Sequence, residues 1–138
     1  MTTGNERESN ERDNTSDKAV DDMVTGKITT GTSPTVDTTI TVYIWAGDTT
    51  IRAGGVTGAD ANYTPAGEDK QFAVGAVIVV TATSNQTYEF AIPSIAALFG
   101  GVLPLKWGFV ILNSTGVTLN STGSNHSLAD TPIKYDYT

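Results

Sequence analysis

The sequence predicts an all-β fold: a single jelly-roll or β-sandwich domain of seven or eight short strands, with one short helix and an extended N-terminal arm. Three observations predict it. Of 138 residues 23 are Thr, and Val and Ile are frequent; all three branch at Cβ and favour a pleated backbone. Apolar residues recur with period two in several short runs. Gly, Asn and Ser cluster between those runs and supply turns. The length suits one domain with a sizeable core.

Residues 1–22 read as the arm and residues 23–138 as the β domain. After Met1 the arm's only apolar residues are Ala19 and Val20. It carries seven carboxylates against Arg7, Arg12 and Lys18, which is more than half of the chain's net charge of −7. Such a segment buries too little apolar surface to offset the cost of ordering its backbone. Alone it is expected to be disordered, and a partner surface is expected to hold it. Extended at about 3.3 Å per residue it reaches roughly 70 Å, enough to cross a neighbouring subunit. Arg7, Glu8, Glu11, Arg12, Asp13, Asp21 and Asp22 are its candidate partner-binding residues. A secretory signal is not expected, since no apolar run follows the start.

Within the domain, 38–46 alternates, with Ile40, Val42 and Ile44 on one face and Thr39, Thr41, Tyr43 and Trp45 on the other. Trp45 therefore either anchors a subunit contact or covers a second sheet. The Gly-rich stretch 48–70 reads as a long loop with one short strand near 50–52; Tyr63, within it, is the second candidate for a subunit contact. Residues 72–83 are apolar nearly throughout and predict a central strand covered on both sides. Ser84-Asn85-Gln86 then predicts a tight turn, and 87–92 a return strand with Tyr88, Phe90 and Ile92 together, so the two runs read as a hairpin. Residues 93–99 predict a two-turn helix started by Pro93, stopped by Gly100 and burying Ile95, Leu98 and Phe99. Residues 106–113 predict a strand with Trp107, Phe109 and Ile111 on one side, and Gly108 marks a bulge or a close backbone approach. Two Asn-Ser-Thr-Gly turns flank a short return strand at 117–120, and Ile133, Tyr135 and Tyr137 alternate in a last strand.

The sequence offers little for chemistry. There is no cysteine and one histidine, which excludes disulfides, thiolate centres and multi-His metal sites. His126 sits among Ser and Asn with Asp130 nearby, a loop cluster and not a convergent triad. No spacing pairs two carboxylates across a cleft as a glycosidase needs. Asp60-Ala61-Asn62-Tyr63-Thr64 lacks the Gly and Glu that complete a calcium loop. No phosphate cradle is present, so no cofactor and no metal are expected. Eight basic residues in an acidic chain leave no footprint for nucleic acid or an anionic membrane. The apolar run 95–112 is interrupted by Gly100, Gly101, Pro104 and Lys106, too broken for a membrane span.

Gly31-Thr32-Ser33-Pro34-Thr35-Val36, followed by Val42-Tyr43-Ile44-Trp45, resembles a family of small structural proteins of tailed bacteriophages. The block PSIAALFGGVLPLKWGFVILNSTGVTLNSTGSNH, 93–126, is similar to that family's most recognisable stretch. The resemblance spans about 26–137 and leaves out the acidic arm. It implies a non-enzymatic virion component and brings no catalytic residues. The expected role is a capsid decoration, or cement, protein on the capsid surface, with the major capsid protein as partner. A homotrimer is expected, its domain over a symmetry axis and its arm tying down a neighbour. The alternative is a tail or fibre component that contacts host glycans through Trp45 and Tyr63.

Overall fold

A computed structural model describes residues 1–2, 4–64 and 71–136. They form a β-sandwich of two antiparallel sheets. The strands are β1 (Glu6–Glu8), β2 (Arg12–Asp13), β3 (Asp21–Thr29), β4 (Thr39–Gly47), β5 (Ala61–Tyr63), β6 (Ala73–Val79), β7 (Thr87–Ile92), β8 (Lys106–Asn113) and β9 (Ser127–Ile133). The larger sheet runs β5-β1-β8-β4-β6, with β2 also on β8; the smaller runs β7-β3-β9.

The core lies between the sheets and follows strand alternation. Ile40, Val42 and Ile44 of β4 and Trp107 and Phe109 of β8 face Val24 and Ile28 of β3 and Ile92 of β7. Trp107 meets Phe109 edge-on at 5.5 Å. One end is closed by the short helix α1 (Ile95–Leu98), which buries Ile95 and Ala96. Ser94, not Pro93, caps it: the Ser94 side chain accepts the Ala97 N–H at 3.0 Å. Leu98 and Phe99 are only half-buried.

A second, smaller cluster covers the outer face of the larger sheet. Trp45 and Val110 point away from the main core and are roofed by Val56, Tyr63 and Phe72 from the excursion after β4. The Tyr63 and Phe72 rings stand 5.5 Å apart. Trp45 lies over Gly108, its neighbour across β4 and β8. A Cβ at Gly108 would meet the indole Nε1 at 2.7 Å, so only glycine leaves the ring room. The close approach expected of Gly108 is this one.

Several expectations are corrected. Residues 1–22 are not a separate arm. Residues 6–13 run along β8 as β1 and β2, 14–20 cross between the sheets, and Asp21 and Asp22 begin β3, the middle strand of the smaller sheet. Main-chain pairing, which is blind to side-chain polarity, orders the segment. The run 72–83 is an edge strand and not a central one, since β6 pairs only with β4 among the described residues. The turn at 84–86 is real, with Asn85 at φ 56°, but it is a corner. It carries the chain from the larger sheet to the smaller, where β7 pairs with β3 and not with β6. Residues 117–120 form a loop tied by Leu119 N–H to Met1 O and Asn120 N–H to Thr29 O. The strand expected at 50–52 is a single bridge from Gly47 to Arg52, and the short strand of that region is β5. The last strand ends at Ile133, leaving Tyr135 exposed; Tyr137 lies outside the described residues.

Candidate functional site

The charged residues singled out in the leader are all engaged inside the chain. Glu8 is 2% exposed and points to the outer face of its sheet. It accepts the Thr57 N–H and the Thr57 hydroxyl, each at 2.7 Å, and the Gly58 N–H at 3.2 Å, pinning the roof over Trp45. Arg7 pairs with Asp60 at 2.7 Å. Glu11 accepts from Lys106 at 2.7 Å and from Arg52 at 2.8 Å, and these bonds hold its carboxyl below the ordinary range. Asp13 accepts the Thr15 N–H and lies 3.7 Å from Lys106. Asp21 accepts the Ala96 N–H at 2.9 Å and so ties β3 to α1. Burial pushes Asp21 up, but bonds from Ser94, Ala96 and Asp22 outweigh it and hold the carboxyl low.

Arg12 and Asp22 converge on a residue from the other end of the chain, Asp130 of β9. Register places Val24 opposite Asp130 and Asp22 opposite Pro132, so the two carboxylates are diagonal neighbours on the inner face. Arg12, from the larger sheet, forms an ion pair with Asp130 in the smaller one. Asp22 is 4% exposed, and its Oδ1 has no hydrogen-bond partner. Burial, reinforced by the Asp130 charge, pushes its carboxyl up to about 6. These groups line a polar cleft of about 210 Å3 beside Leu103 and Trp107. Arg12 and Asp130 both line this cleft, and their ion pair commits the charge there within the chain. Among the described residues no cluster of three His, Asp or Glu side chains suits a metal ion.

A larger cleft of about 650 Å3 opens between β1 and β8 on one side and β3 and β9 on the other. Phe109, Ile111 and Leu128 form its floor, and Arg7, Lys27, Asp60 and His126 its rim. The size suits a small ligand, yet three of the four rim residues, Arg7, Asp60 and His126, are already bonded. Arg7 is held by Asp60. His126 receives the Thr29 N–H on Nδ1 at 3.3 Å and bonds the Asn120 carbonyl through Nε2 at 2.8 Å, so both ring nitrogens serve the fold.

Trp45 and Tyr63 are not subunit contacts. Trp45 is 0% exposed and Tyr63 is buried, its hydroxyl donating to the Gly54 carbonyl beneath the roof. Their place is the second core. Sequence reasoning missed two features. One is Asp130 as the partner of Arg12, 118 positions away and without a local signal. The other is the outer face of β6, where Val74, Val77 and Val79 are 52%, 56% and 58% exposed. Its signal was legible, since no charged residue occurs between Gln71 and Tyr88.

Comparison with protein-family models, with curated proteins and with solved structures finds no match to this chain. Among the described residues no helix is long and apolar enough to cross a membrane.

Proposed function

We propose that this chain is a non-enzymatic structural protein of a bacteriophage virion, a capsid decoration protein that binds the capsid surface and stabilises contacts between capsomers. The major capsid protein is its proposed partner. Two things support the reading. The 93–126 block that resembles phage structural proteins builds α1, the central strand β8 and the loop to His126, so the resemblance lies in the scaffold. The observation that carries it is the bonding of the leader. Glu8, Glu11 and Arg12 tie the roof and both sheets together, which suits a passive clamp that must resist deformation on a shell under internal pressure.

The means of attachment differs from the sequence expectation. A leader built into its own sheets does not lash down a neighbour, and the trimer expected on that basis loses its stated contact. Attachment falls to the exposed surface. The tail reading loses its proposed glycan-facing aromatics, because Trp45 and Tyr63 are buried.

The test is to add the purified chain to expanded shells and to follow their melting by calorimetry. Saturable binding at hundreds of copies with a raised shell melting temperature is expected. Shells that melt alike with and without the protein would overturn the reading.

A further inference from the structure

The sheet edges are not equally defended; the shortest, β2, has two residues. β5 is three residues long, β7 carries Glu89, and β9 carries Asp130 and Pro132. Short length, charge and proline are the usual guards against edge-to-edge pairing. β6 has seven residues, AVGAVIV, with neither charge nor proline. Its one irregularity is the register shift where β4 passes from Val42 to Tyr43, which leaves Gly75 as the extra residue and sets Val74, Val77 and Val79 on one face. Beyond it, 76–79 is regular. Among the described residues nothing pairs with the outer edge of β6.

We propose that the outer edge of β6 is a docking surface for a second copy of this chain, the two β6 strands pairing antiparallel about a two-fold axis into one continuous sheet. An antiparallel strand edge complements itself, since every second residue turns both its N–H and its carbonyl outward and a two-fold axis sets such residues opposite one another. The exposed valines of the two copies come together beside the join, with Val36, 54% exposed, close to the Val80 end through the Asp37–Val80 main-chain bond. Charge selects the same occupant. Each copy carries −7, so copies repel over most of their surface, and the uncharged stretch 71–88 is where two of them can approach. The contact does not depend on the virion reading and is tested without shells.

Sedimentation velocity of the full chain and of Val77→Lys supplies the test. The wild type is expected to sediment as a dimer and Val77→Lys as a monomer, because two lysines would meet at the join. Val77 is more than half exposed, so the variant's circular dichroism and thermal unfolding are expected to match the wild type. Hydrogen exchange on the wild type gives a readout that needs no variant: protection of β6 amides rises with protein concentration. A wild type that stays monomeric, or that forms a trimer, overturns the proposal; the first result would give this edge to a strand of another protein. A Val77→Lys dimer as stable as the wild type overturns it too, as does concentration-independent exchange in β6.

Discussion

Replacing Asp22 with Asn is expected to stabilise the protein at neutral pH. Asp22 is 4% exposed, faces Asp130 and leaves Oδ1 without a partner. Burial comes first and the Asp130 charge second in raising its carboxyl to about 6 from 3.8. A difference of about two pK units, at 1.36 kcal/mol each, means that holding Asp22 ionised costs about 3 kcal/mol at most. The sign follows from proton binding. Between pH 4 and 6 the folded chain holds this proton more tightly than the unfolded chain, so stability falls as pH rises through that window and the full cost stands at pH 7. Glu11, Asp21 and Asp60 are held low, so their stabilisation is complete above the ordinary carboxylate range and is lost only as pH falls below it. The wild type should be most stable near pH 4 to 5.

Asp22→Asn removes the cost, and its amide nitrogen can donate to Asp130. Urea unfolding at pH 4.5, 5.5 and 7.0 should show a gain of about 2 kcal/mol at pH 7, shrinking towards pH 4.5. The corresponding rise in Tm is roughly 6 °C for a domain of this size. A variant less stable than the wild type at pH 7 would refute the reasoning. So would a gain that does not change with pH, since titration alone makes it vary.

Deleting residues 1–22 should abolish cooperative unfolding, because it removes β1, β2 and the first residues of β3; a truncated chain with a sharp melt would show that the leader is dispensable. Glu8→Ala should cost about 2 kcal/mol by removing the buried carboxylate that accepts the part-buried Thr57 and Gly58 N–H groups and the Thr57 hydroxyl, measured by urea unfolding; a loss under about 1 kcal/mol would mean that water replaces the carboxylate. Gly108→Ala should lose about 1–3 kcal/mol by overpacking and shift Trp45 fluorescence, since the added Cβ meets the indole at 2.7 Å. Attachment to shells should weaken little between low and high salt, as binding assays would report, because Arg7, Glu11 and Arg12 of the leader are already paired within the chain; steep loss with salt would restore an electrostatic tether.

What the sequence revealed was set by what is local. Strand β8 is legible at its full length, with Trp107, Phe109 and Ile111 inward, because each residue carries its own sign of burial. The inward set Tyr88, Phe90 and Ile92 is legible in the same way, as is the face of β4. Strand β3 is harder. Its inward positions include Gly26, whose missing side chain is replaced by the Phe90 ring and Leu128 from the two flanking strands. A valine-rich run looks the same in the middle of a sheet and at its edge, so β6 could be recognised as a strand without its place being known. The hairpin failed for a related reason: 84–86 specifies a reversal of direction, not the strand that will be met after it.

The leader shows the strongest separation between composition and structure. Counted by apolar surface, 1–22 cannot fold, and that count is sound for an isolated peptide. It omits partners supplied by the rest of the chain. Thr57, Lys106 and Asp130 lie 49, 95 and 118 positions from the carboxylate or guanidinium they satisfy. Each bond reinforces a junction that the apolar clusters also make: Glu8 that of the roof with the larger sheet, Arg12 that of the larger sheet with the smaller. Acidity near the start is therefore a fastening within the molecule. With those charges committed, selection of partners passes to surfaces where charge is absent, and β6 is the longest sheet edge of that kind among the described residues.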